Sequence, residues 1–160
     1  MNKFPEPSDQ YMPATLLRRL LAFFYDSILC IALTMTITMI YMAISHSLIG
    51  AEEYKQINES GQSLKDPLLS STLFISLFLF FGYFWTKTGQ TLGMQVWHLR
   101  IQNEDNTSIS WNQALVRFFV AGVSIAAFGL GYLWVFIDKK NRTWQCIASE
   151  SKVIRIPKRS

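Results

Sequence analysis

Charge is scarce in this sequence. Only 16% of the 160 residues are Asp, Glu, Lys or Arg, against roughly a quarter in an average soluble domain. The shortage is uneven, because long uncharged stretches alternate with short polar ones. Cysteine and histidine are scarcer still, with two of each: Cys30, Cys146, His46 and His98. None falls in a C-x-x-C or H-x-x-x-H pattern, which argues against a disulfide framework and against a metal site. Cys30 lies in an apolar run, where a free thiol behaves as a small hydrophobe. No Ser/His/Asp or Cys/His cluster offers nucleophilic catalysis, and Gly89-x-x-x-Gly93 lacks the Lys-Ser/Thr that completes a phosphate loop. No enzyme activity and no cofactor are expected.

What is present is hydrocarbon, with half of the residues apolar and 14% aromatic. Leu20 to Ile44 is a run of 25 residues interrupted by one charge, Asp26. A bilayer core about 30 Å thick needs about 20 helical residues, so this run spans with some tilt. Leu68 to Trp85 is uncharged, follows Asp66-Pro67 and ends in Tyr83-Phe84-Trp85, which suit a lipid interface. Phe118 to Ile137 is also uncharged, but Phe128-Gly129-Leu130-Gly131-Tyr132 lies inside it. Two glycines weaken a helix by about 1 kcal/mol each relative to Ala. This third element either crosses straight or breaks and returns as a re-entrant hairpin. Arg18-Arg19 before the first run resembles the opening of a twin-arginine signal. The run is too long for a cleaved leader and contains Asp26, so no cleavage is expected.

Basic residues set orientation, because cytoplasmic loops carry the Lys and Arg excess. Lys3, Arg18 and Arg19 precede the first span. Lys87, Arg100 and Arg117 follow the second, and seven of the fifteen Lys and Arg lie beyond Ile137. In the 45–67 connection Lys55 and Lys65 are outweighed by Glu52, Glu53, Glu59 and Asp66. The N-terminus, the 86–117 connection and the tail are thus expected inside, which favours a broken third element over a third straight span. The basic tail either orients the chain or binds anionic lipid; nucleic acid is not expected as a partner.

In the connection, Met94 to Leu99 can form a short amphipathic turn with Trp97 at the interface. Leu99-Arg100-Ile101-Gln102 and Thr107-Ser108-Ile109-Ser110 alternate on either side of Asn103-Glu104-Asp105-Asn106, which reads as a hairpin. Lys152 to Ile156 is β-like and could add a third strand, since a lone hairpin is marginal in water. Glu104 and Asp105 read as a solvated turn rather than a cation site. His98 reads as an interfacial polar residue rather than a pH sensor.

Asp26 lies about 9 Å along the helix from Leu20. A buried charge there costs about 2.5–3.5 kcal/mol at mid-membrane on insertion scales and calls for a partner or a function. Arg19, seven residues earlier, shares its face to within about 20°, with an axial gap of about 10.5 Å. Direct contact is a stretch along one helix. Asp26 is either a structural anchor for Arg19 or Arg117, or part of a hydrated track through Cys30, Thr34, Thr38 and Tyr41. A ready arginine favours the anchor.

Arg19-Leu20-Leu21-Ala22-Phe23-Phe24-Tyr25-Asp26 resembles the opening motif of the RDD family. Gln90-Thr91-Leu92-Gly93-Met94 with Leu99-Arg100-Ile101 resembles that family's G-Q-T-L-G-K segment and the strand after it. Gly129 to Trp134 and Asp138 to Trp144 resemble its closing region. The resemblance covers residues 13–157 and makes Arg19 and Asp26 the signature polar pair; the helix-face and anchor readings add Thr34, Tyr41 and Arg117 as candidate supporting polar residues, and Asp138 lies near the closing motif. The family pattern has His-Asp where this sequence has Gln145-Cys146, so the second signature aspartate is absent there; Asp138 is close by. Lys is usual where Met94 stands.

The expected architecture is an all-α membrane protein with two full spans, at 20–44 and 68–85, and a third broken or re-entrant element at 118–137. A small cytoplasmic hairpin or three-stranded sheet accompanies them. Residues 1–15 are expected to be a flexible segment, 16–157 a single RDD-like domain, and 158–160 a basic end. The resemblance implies a bacterial membrane protein; the apolar runs and the distribution of basic residues lead to the expectation that it is a multi-pass inner-membrane protein with a cytoplasmic N-terminus and tail. Its role is expected to be accessory or partner-binding, with another copy or a membrane protein as partner. The alternative is a sodium or proton transporter using Asp26, which the missing second acid weakens.

Overall fold

The computed structural model describes residues 3–4, 12–50, 66–138 and 141–156. The expected flexible start (1–2 and 5–11), most of the 45–67 connection, Lys139, Lys140 and the basic end at 158–160 lie outside the described residues. Among the described residues, two helices are long and apolar enough to cross a membrane: α1, Leu16–Ile49, and α2, Pro67–Lys87. Each is longer than its apolar run, because neither end of the run contains a helix breaker. Helix α2 starts where Asp66 caps it: the Leu68 N–H donates to Asp66 Oδ1 at 2.9 Å, and Pro67 occupies the first helical position, where its missing N–H costs nothing.

The described chain divides into two units. The smaller, Ser27–Leu79, holds most of α1 and the first half of α2. Several of its hydroxyl side chains bond back to their own helix, as hydrocarbon favours. Thr34 donates to the Ile31 carbonyl at 2.9 Å, Thr36 to Ala32 at 2.8 Å and Ser47 to Ala43 at 2.9 Å. Tyr41 donates to the Asp66 carboxylate, which holds that carboxyl below its ordinary range.

The larger unit, Met1–Asp26 with Phe80–Ser160, contains the remaining elements. Short helix α3 (Leu92–Val96) leads to strand β1 (Leu99–Asn103). Then come α4 (Trp111–Ala126), α5 (Leu130–Leu133) running into a 3-10 turn (Trp134–Phe136), α6 (Trp144–Ala148) and β2 (Ser151–Arg155). The core joins Ala14, Ala22, Trp85, Met94, Leu99, Ile101, Ile109, Ala114, Cys146 and Val153. Trp85 belongs to this core rather than to a lipid interface.

The sheet corrects the expected hairpin. Strand β1 pairs antiparallel with β2, in register from Leu99↔Arg155 to Asn103↔Ser151, and the sheet has two strands. The segment after the turn cannot serve as the partner because it is too short. The Asn103 N–H reaches the Thr107 carbonyl at 3.0 Å, closing a tight turn. Ser110 then already begins α4 with a capping box: Gln113 N–H donates to Ser110 Oγ at 3.2 Å, and Ser110 N–H to Gln113 Oε1 at 2.8 Å. Thr107 forms an isolated bridge to Lys3, and Pro13 bridges Ile154 on the edge of β2 away from β1. The Ala14 N–H donates to the Val153 carbonyl at 3.1 Å.

The third apolar element is broken. Helix α4 and the following α5 with its 3-10 turn meet at 106°. Gly129 supplies the left-handed backbone at the corner, with φ 79°, a conformation glycine adopts without steric cost. Phe128 beside it is 98% exposed, and Phe136 and Ile137 are exposed as well.

Candidate functional site

Two buried polar joints tie the start of α1 to the rest of the larger unit. The first is built on Asp26, which faces the Thr91–Gly93 turn. Thr91 is the N-cap of α3, and its hydroxyl accepts from the Met94 N–H at 3.2 Å while donating to Asp26 Oδ2. The Gly93 N–H donates to Asp26 Oδ1 at 2.9 Å. Both carboxylate oxygens are thus taken by donors at the start of a helical turn, where free N–H groups favour an acceptor. The approach is close: a Cβ on Gly93 would lie 2.4 Å from the Ala22 carbonyl oxygen and 2.9 Å from the Asp26 carboxyl. Only glycine lets this turn sit on α1.

The second joint gathers two buried arginines around Cys146. From α1, Arg19 donates through Nε to the Ala14 carbonyl at 3.0 Å and through NH2 to the Asn141 carbonyl at 2.9 Å. Its NH1 points at Cys146 Sγ, 3.8 Å away. From α4, Arg117 NH1 lies 3.5 Å from the same sulfur and 3.1 Å from Ser151 Oγ. Its guanidinium also stacks over the Trp85 ring at 5.4 Å, a cation–π contact. The Thr143 hydroxyl donates to Sγ at 3.1 Å. Burial alone would push the Cys146 thiol up; Arg117 and Arg19 outweigh it and bring the thiol down to about 7.

The signature pair is not a contact pair. Asp26 bonds to Thr91 and Gly93, whereas Arg19 bonds to Ala14, Asn141 and Cys146. Arg117 joins Arg19 rather than Asp26. Asp138 accepts from Arg142 at 3.1 Å in an i,i+4 ion pair that leaves Arg142 about a third exposed. Thr34 and Tyr41 belong to the other unit and form the local bonds already described. Asp105 staples its own turn by accepting from the Thr107 hydroxyl at 2.6 Å, which holds its carboxyl below the usual range. Among the described residues, no group of three His, Cys, Asp or Glu could hold a metal ion.

Thr91, Gly93 and Cys146 were not evident as partners from the sequence. The glycines flanking Gln90-Thr91-Leu92 signal a tight turn, but nothing in their spacing names Asp26, 65 residues before Thr91, as what the turn wraps. No curated protein and no solved structure gives a match. The model of the RDD family matches residues 13–149, a stretch that holds Arg19, Asp26, Thr91, Gly93, Arg117 and Cys146 and ends before strand β2. With two apolar helices fit to cross a membrane, the chain is a membrane protein and belongs to the RDD family.

Proposed function

We propose that this chain is a non-catalytic resident of a bacterial inner membrane that carries a folded docking body at the start of its first span. The observation that carries this reading is the Asp26 carboxylate. Both of its oxygens are engaged by fixed donors of one turn, so it fastens that turn and is not left open to a passing ion. A carboxylate that exchanges protons or sodium needs a free oxygen and a path of water or polar groups, whereas the hydroxyl of Thr34, on the face such a path would follow, turns back onto its own helix.

Sidedness supports the docking role. Residues 13–14, 99–103 and 151–155 are joined by sheet hydrogen bonds, so these three segments share one side of the membrane. The chain between the first two crosses twice, through α1 and α2. An even number of crossings between the last two keeps the sheet together, which supports reading the 106° element as a dip rather than a span. All Lys and Arg except Lys55 and Lys65 fall in the sheet-bearing unit, so the basic excess favours a cytoplasmic position for it. Exposed Lys87 and Arg155 there suit an acidic protein surface or anionic lipid.

Sodium–proton exchange in everted vesicles or reconstituted liposomes tests this reading. Adding sodium is expected to leave an imposed pH gradient intact. Sodium-driven dissipation that disappears in Asp26→Asn would establish the transporter reading instead.

A further inference from the structure

Arg19 and Arg117 are 7% and 5% exposed, and neither has a carboxylate partner among the described residues. Two buried guanidiniums facing one another need an anion, because an unpaired buried charge costs several kcal/mol. What they share is Cys146 Sγ, 1% exposed, with a third donor from Thr143. Guanidiniums only donate, so the sulfur sits at the focus of donors. Asp26 and Asp138 are turned to other partners, Thr91 with Gly93 and Arg142 respectively. Among the described residues, the other acidic group near the two arginines is the Tyr132 phenol, whose ordinary ionisation lies well above that of a thiol.

We propose that Cys146 is an ionised thiolate that serves as the common counter-anion of Arg19 and Arg117, making the joint between the first span and the 141–151 segment sensitive to protonation. The charged and titratable groups facing the sulfur are Arg19 from α1, Arg117 from α4, Tyr132 from α5 and, more remotely, Arg142 ahead of α6. From β2 comes the neutral Ser151 hydroxyl, bonded to Arg117. Three of these four are cations or cation-paired at neutral pH. A cysteine here completes the cluster with a smaller anion than a carboxylate, and the cluster loses that anion when the sulfur takes up a proton.

The test uses the full chain in detergent or nanodiscs with Cys30→Ser, so that Cys146 is the sole thiol, and follows thiolate ultraviolet absorbance against pH. The Cys30→Ser/Cys146→Ser protein serves as blank. The expected result is a thiol about half ionised at pH 7, roughly tenfold more than the few per cent of an ordinary cysteine. An absorbance that rises only above about pH 8.5, as for a free thiol, overturns the proposal. In a second arm, Cys146→Asp restores an anion and Cys146→Ser does not. The aspartate variant is expected to keep the thermal stability of the parent at neutral pH, and the serine variant to lose it. A serine variant with the parent's stability and pH profile overturns the proposal. Should neither variant fold, the absorbance titration of the Cys30→Ser protein decides.

Discussion

Replacing Asp26 by Asn keeps an oxygen for the Gly93 N–H and lets the new amide donate to the Thr91 hydroxyl, which can still accept. Replacing it by Ala removes both acceptors and leaves two buried donors unpaired, at about 1–3 kcal/mol each. Thermal unfolding in detergent should therefore rank the parent at or above Asp26→Asn, and both well above Asp26→Ala; equal loss in the two variants would show that charge, not hydrogen bonding, holds the turn. Gly93→Ala tests the same joint without touching polarity. Its Cβ meets a backbone oxygen at 2.4 Å, and overpacking of this kind costs about 1–3 kcal/mol. The Cys146 thiol gives a pH dependence of definite sign. Its folded value is held below the ordinary 9, at about 7, so its contribution to stability is fully present above pH 9 and lost as pH falls through 7. Melting temperature in the Cys30→Ser protein should rise across that window, and the rise should vanish in Cys146→Ser. At this scale the sequence was partly legible. Asp26 and Arg19 stand out because charge inside an apolar run demands an explanation. Their partners do not, since Thr91, Gly93 and Cys146 are ordinary residues far along the chain whose roles come from long-range packing.

The spans were readable because hydrocarbon imposes length and polarity on each helix separately, and α1 and α2 contain the expected runs in full. The broken third element was readable for a similar reason, as Gly129 lies where the helix turns. The strand pairing was not. Alternation in Leu99–Asn103 identifies a strand, but the choice between a neighbouring partner and one about 50 residues on depends on where α4 begins. Ser110 and Gln113 decide that, because their reciprocal capping diverts the chain into a helix before a second strand can form. Ser110→Ala should cost about 0.5–2 kcal/mol, as loss of an N-cap does, seen as a lowered melting temperature with the sheet signal retained. Gln113→Ala should cost more than the cap alone. Its Nε2 also donates to Asn103 Oδ1 at 2.9 Å and to the Ser149 carbonyl at 3.0 Å, linking α4 to the end of β1 and the approach to β2.

For the whole molecule, sheet hydrogen bonds and basic residues point to the same topology. A protease-sensitive tag placed after Ser160 should be cut only from the cytoplasmic side, and a tag inserted near residue 58 only from the opposite side. A tail cut from outside would mean that α4 and α5 cross as one span and would overturn the proposed dip. That pairing also has a bearing on the order of events during synthesis. The α1 segment leaves the ribosome and enters the membrane long before residues 151–155 exist, so its Arg19 and the 12–14 segment wait without their partners while about 130 further residues are made. Long-range pairing of this kind is slow because loop closure must come first. The nascent protein therefore passes through a stage with both hydrophobic helices inserted, the sheet-bearing unit still open and a guanidinium without its final partners. During that interval an anionic lipid headgroup or a chaperone has its best access to the site that the finished fold closes.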